Sequence, residues 1–128
     1  MSYFLIAIIA VLVIILLPKF MQQFNSSGKY ENIDAATFIG LSKEPNTVIL
    51  DVRQPGEIAE GKIKGAKAIN IMASNFMEEV DKLPKDKAYL VYCRSGSRSS
   101  MACGQMAGLG FTKLYNLQGG YGAWLRAK

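Results

Sequence analysis

Seven residues, Cys93 to Ser99, read CRSGSRS and directly follow the apolar run AYLVY, Ala88 to Tyr92. A thiol reacts as its anion, and a free cysteine ionises only near a pKa of about 8.5. The chain contains no histidine, so no imidazole can take the proton from Cys93. Three other features favour the thiolate. The loop opens a helix, whose first amides carry partial positive charge. Gly96, with the small residues Ser95, Ser97 and Ser99, lets successive N–H groups curl into an anion-binding nest. Arg94 and Arg98 add permanent cations. The same cradle suits an attached anion, either a persulfide or a bound oxyanion. A buried structural cysteine would instead have apolar neighbours, and those of Cys93 are arginines, serines and a glycine.

The surrounding pattern says what must hold this loop. Strands are expected at Val48–Leu50 ending in Asp51, at AINI (Ala68 to Ile71), at AYLVY, and at KLYNL (Lys113 to Leu117). A short edge strand is expected near Tyr30 to Ile33. Between them, Asp34 is placed to cap a helix through Leu41. SNFMEEVDKL suits a second helix, with Ser74 or Asn75 as cap and Phe76, Val80 and Leu83 on one face. A third runs from Arg98 to Leu109 and stops at Gly110. Short buried strands separated by helices predict an α/β fold: a central, mostly parallel, five-stranded sheet flanked by helices. Ligands in such folds sit beyond the carboxyl ends of the strands. CRSGSRS lies there, and Asp51 and Arg53, at the end of a different strand, can face the same crevice.

The bulk composition narrows the function classes. With 128 residues the chain holds one ordinary domain. Fifteen Lys and Arg against ten Asp and Glu give a formal charge of +5. The basic residues are scattered and often sit beside acids, as in KLPKDK, so the pattern carries no signal for nucleic acid. Two cysteines, Cys93 and Cys103, are too few for a disulfide framework, and their ten-residue gap is not zinc-ligand spacing. No metal and no cofactor are expected. Cys103 falls inside a helix and reads as a small buried residue, the alternative being a thiol that resolves an oxidised Cys93. Glu57 and Glu60 read as decoration of a turn or short helix.

The N-terminus is a different material. From Tyr3 to Leu17, fifteen consecutive residues are apolar and uncharged. As a helix they would span roughly 22 Å, and PKFMQQF extends them toward the roughly 30 Å of a bilayer core. A signal peptide would have a basic start and a small-residue cleavage site, and neither is present. Residues 1–24 are therefore expected to be a single-pass membrane anchor helix, with an exported, cleaved chain as the alternative. Residues 25–29 are expected to be a linker and 30–128 the catalytic domain. Lys19 and Lys29 place that domain on the cytoplasmic side.

Three stretches carry a resemblance: LDVRQPGEIAEGKIKGAKAINI (Leu50 to Ile71), VYCRSGSRS (Val91 to Ser99) and LQGGYGAW (Leu117 to Trp124). In order and spacing they resemble a single-domain rhodanese, a sulfurtransferase, over roughly Tyr30 to Leu125. The resemblance implies a rhodanese-like fold and a Cys93 nucleophile that takes sulfane sulfur from a small anionic donor such as thiosulfate. It implies a persulfide on Cys93, held by the loop Arg94 to Arg98, and transfer to cyanide or a thiol. Asp51 and Arg53 match the family's strand-end pair, and Gly119, Gly120 and Trp124 match its C-terminal signature as packing residues. Lys62 stands where the family often has histidine. Cysteine phosphatases and arsenate reductases of related fold place five residues between nucleophile and arginine. Here four residues separate Cys93 from Arg98, a tighter loop that suits a single sulfur atom. A binding module of the same fold is the third possibility, and the retained cysteine speaks against it.

Overall fold

AYLVY is built for the middle of a sheet, because every residue after Ala88 is β-branched, aromatic or leucine. It forms β4 (Ala88–Tyr92), with its last four residues fully buried. In the computed structural model, which describes residues 3, 5–8 and 29–128, four more strands join it. They are β1 (Glu31–Ile33), β2 (Thr47–Asp51), β3 (Lys67–Ala68) and β5 (Leu114–Leu117). The order is β1-β5-β4-β2-β3, and every pairing is parallel. The expected mostly parallel, five-stranded α/β fold is therefore present.

Alternation along β4 assigns its two faces. Tyr89, Val91 and Cys93 point to one core, with Phe76, Val80, Ala102, Cys103 and Met106. Leu90 and Tyr92 point to the other, with Phe38, Ile63 and Leu117. This is the period of two that a strand imposes. Each buried leucine or phenylalanine in these layers contributes about 1.5–3 kcal/mol relative to exposure.

Within residues 29–128 five helices connect and flank the strands: α1 (Ala35–Ser42), α2 (Pro55–Glu60), α3 (Phe76–Asp81), α4 (Ser97–Gly108) and α5 (Gly120–Ala127). Asp34 caps α1 as expected, accepting from the Thr37 amide at 2.8 Å. α3 differs: Asn75 stands at the cap position, but neither it nor Ser74 gives a capping hydrogen bond there. The AINI strand is also shorter than its apolar run. After Ala68 the chain leaves regular pairing, although Ile69 and Ile71 still donate to the carbonyls of Asp51 and Val52. α4 ends at Gly108 with Leu109 as its C-cap, and Gly110 takes a positive φ of 102° just beyond it.

Among the described residues no helix is long and apolar enough to cross a membrane. The expected anchor at 1–24 and the linker lie outside the described residues, except Tyr3, residues 5–8 and Lys29. Tyr3 and residues 5–8 are helical and exposed.

Candidate active site

β4 delivers the candidate nucleophile. Its last residue, Tyr92, is followed by Cys93, whose side chain lies wholly buried under the loop that leads into α4. Gly96 makes that loop possible. With φ of 106° it occupies the left-handed region that glycine tolerates, and its amide thereby turns inward to donate to Cys93 Sγ at 3.1 Å. The Ser99 hydroxyl donates to the same sulfur at 3.3 Å. Asn116 on β5 pins the turn from behind, donating to the Gly96 carbonyl at 3.2 Å and to Asn32 at 2.9 Å.

Burial by itself would push the Cys93 thiol up. Hydrogen bonds from the Ser99 hydroxyl and from the amides of Ser99, Gly96 and Ser95 outweigh it and hold the thiol below its ordinary value. Ser99, expected only as a supporting residue, is thus a direct partner of the sulfur. Of the two arginines expected to lend their charge to the thiolate, Arg98 does feel the Cys93 charge, although its own hydrogen bonds go elsewhere. Arg98 gives its two terminal nitrogens to the Glu57 carboxylate, at 2.7 and 2.9 Å. Arg94 and Ser95 are exposed, as is Ser97. Hydrogen-bond donors from the loop are the main cause of this sulfur's acidity.

Asp51 and Arg53 have a different task. Arg53 donates to both Asp51 oxygens, at 2.8 to 3.1 Å, and to the Gly61 carbonyl at 2.8 Å. The Tyr92 hydroxyl donates to Asp51 at 2.6 Å and accepts from the Ile63 amide. Arg53 also lies 4.5 Å from the ring centroid of Tyr121 and 5.3 Å from that of Tyr92. A buried ion pair is tolerable only when its remaining donors and acceptors are met in this way. The pair therefore ties β2, β4, the α2–β3 connection and α5 together beside the cysteine loop and makes no hydrogen bond to Sγ. Lys62 is exposed, and its neighbours Gly61 and Ile63 serve this network through their backbones. The residue in the family's histidine position thus makes no hydrogen bond to the sulfur.

The mouth of the site is a hollow of about 270 Å³ lined by Arg53, Glu57, Glu60, Gly61, Arg94 and Tyr121. Residues 34–127 match the family of the Rhodanese-like domain. The chain belongs to the rhodanese-like family. This rhodanese-like chain is 35% identical, over 86 residues, to a sulfurtransferase of Allochromatium vinosum, covering 67% of this chain and 78% of that one. It is 30% identical over 97 residues to the thiosulfate sulfurtransferase GlpE of Pseudomonas putida, covering 75% and 86%. Among solved structures, a rhodanese-related protein from Thermoplasma volcanium aligns with a TM-score of 0.67 at 33% identity, covering 77% and 93%.

Two further residues of the rhodanese-like site are not singled out as such by the sequence reading. Glu57 is one, since its partner Arg98 is 41 residues away. Tyr121 is the other: its amide donates to the Cys93 carbonyl at 2.9 Å, and its ring stacks on Tyr92 and Trp124. The GGYG motif was a clue to it. Cys103 shares the buried core with Cys93, and burial, reinforced by the Cys93 charge, pushes its thiol up to about 12. That environment suits a packing residue.

Proposed function

We propose that this protein is a thiosulfate-type sulfurtransferase that carries sulfane sulfur as a Cys93 persulfide. The observation that carries the reading is the sulfur's setting. Sγ sits in a tight ring of hydrogen-bond donors, while the loop arginine at Arg98 is turned to Glu57. A phosphatase would need that arginine aimed at an oxyanion over the thiolate.

The chemistry balances without an added oxidant. The Cys93 thiolate attacks the outer sulfur of thiosulfate, the donor's S–S bond breaks, and sulfite leaves with the bonding pair. The new terminal sulfur is an anion, and the loop amides that favour the thiolate favour it too. Cyanide or a thiolate then attacks that sulfur, the Cys93 S–S bond breaks, and the thiolate is restored as thiocyanate or a new persulfide departs. Arg94, exposed at the mouth, is placed to attract the anionic donor. No histidine is required at any step, because Cys93 is already acidic.

The test is intact mass after incubation with thiosulfate. One added sulfur per chain, mapped to the Cys93 peptide and discharged by cyanide as thiocyanate, is expected. The adduct should persist in Cys103→Ser. An absent adduct, or one residing on Cys103, would sink the reading.

The location is also a proposal. The apolar run Tyr3 to Leu17, with Lys19 and Lys29 after it, supports a single-pass anchor that holds the domain at the cytoplasmic face. A reporter fused after Lys128 should be active only in the cytoplasm, and a periplasm-active fusion would reverse the orientation.

A further inference from the structure

Glu57 lies on α2, the first helix after β2, yet it is bonded to the cysteine loop. Its Oε1 and Oε2 accept from Arg98 at 2.7 and 2.9 Å, with both side chains about a quarter exposed. The Gln54 amide also donates to Oε1, at 3.3 Å, so the carboxylate is anchored by the start of its own helix. The Arg98 hydrogen bonds hold Glu57 down to about 2, and it stays charged at neutral pH. Glu57 and Glu60 face the same hollow as Arg94 and Arg53. Arg53 is committed to Asp51, which leaves Arg94 as the arginine of that hollow with no carboxylate partner among the described residues. The entrance is therefore closer to charge-balanced than to a simple anion trap.

Resting on the sulfur-transfer reading, we propose that Glu57 is a specificity-determining residue. It occupies Arg98 with a carboxylate, so that no oxyanion is retained over Cys93. A carboxylate and an oxyanion such as sulfite, sulfate or phosphate offer the guanidinium fork the same pair of oxygens. The end-on fork of Arg98's two terminal nitrogens is taken by Glu57, and the tethered Glu57 is always present. Sulfite generated at Cys93 is then released instead of being held by a second cation, and phosphate or arsenate gains no foothold at the thiolate. The arginine of the motif is present and muted, and the residue that mutes it comes from another element.

The experiment uses the full chain and Glu57→Gln, which keeps the side-chain length and an acceptor for the Gln54 amide. Cys93 is alkylated in parallel with anionic iodoacetate and neutral iodoacetamide, with Cys93→Ser as the blank. Freeing a charged donor beside the sulfur is expected to raise the iodoacetate-to-iodoacetamide rate ratio about fivefold. Sulfate and sulfite should inhibit thiosulfate turnover more tightly by a similar factor, with KM falling and kcat falling with it. In an Arg98→Met background, Glu57→Gln should change neither quantity further. Glu57→Asp, which withdraws the carboxylate by one methylene, should shift the ratio the same way by a smaller factor. It also serves if the glutamine variant does not fold. An unchanged or lower ratio overturns the proposal, as does an effect that survives without Arg98. Because alkylation needs no sulfur transfer, the ratio still decides the role of Glu57 if thiosulfate proves not to be a donor. Loss of the thiosulfate adduct alone would strike the proposed function and leave this result standing.

Discussion

Replacing Cys93 with serine is expected to reduce sulfur transfer from thiosulfate by about 10⁴-fold or more, the scale on which covalent catalysts lose rate without their nucleophile. The physical reason is acidity and softness together. The ring of donors around Sγ lowers a thiol that already ionises within reach of neutral pH, whereas a serine hydroxyl starts far above it. An oxygen also forms no stable perthio linkage to carry sulfur onward. The fold should be little affected. Serine is nearly the size of cysteine, and the Gly96 amide and Ser99 hydroxyl that face the sulfur can face an oxygen. A steady-state thiocyanate assay beside a thermal melt checks both statements. Retained turnover with an unchanged melt would move the chemistry away from Cys93.

The same setting predicts the pH dependence of the wild-type chain. Cys93 lies below the ordinary thiol value, so its alkylation rate should climb with pH and reach its plateau at a lower pH than free cysteine does. The rate should fall as pH drops through the folded pKa, because the protonated thiol is inert.

Gly120→Ala is expected to destabilise the chain by about 3 kcal/mol and to cut turnover by about 10²-fold. Gly120 adopts φ of 62°, where an added Cβ costs energy in any setting. Here the Cβ would also lie 2.6 Å from the Ser95 nitrogen and closer still to the Arg94 carbonyl. Those atoms are backbone of the cysteine loop, so no side chain can swing aside. Either α5 retreats or the loop shifts, and the Tyr121 amide that bonds the Cys93 carbonyl moves with it. Denaturant unfolding and the thiocyanate assay report the two effects. Gly104→Ala is the control: it lies within α4 with open space around it and should be neutral or slightly stabilising. Equal behaviour of the two variants would show that Gly120 is not held against the loop.

The sulfite-release role of Glu57 complements this picture. One helix start fixes the height of the loop through Gly120, and another fixes where its arginine points through Glu57. Neither residue needs to touch the transferred sulfur to govern how it is handled.

Much of this architecture is legible in local sequence, for local reasons. Strand composition and alternation place β2, β4 and β5 almost to the residue, because burial on both faces demands continuous apolar runs. The Cys93 loop is legible because glycine at a positive φ, small residues and a following helix form a contiguous pattern. Asp51, Arg53 and the GGYG stretch are legible as positions to watch, but their roles are not. Asp51 and Arg53 read as supporting residues of the active site, and the form of that support, a buried brace with Tyr92 and Gly61, is visible only in the structure. Gly120 reads as packing, and its packing partner is the active loop itself.

By itself, the sequence determined the candidate nucleophile, the tight four-residue spacing to Arg98 and the parallel sheet that raises both at its carboxyl edge. Only the tertiary structure decided what Arg98 does, which donors acidify Cys93 and why Gly120 cannot carry a side chain. The division has a physical cause. Hydrogen bonds within a turn follow from neighbours in the chain, whereas an ion pair across 41 residues exists only once the starts of two helices have been brought to the same crevice.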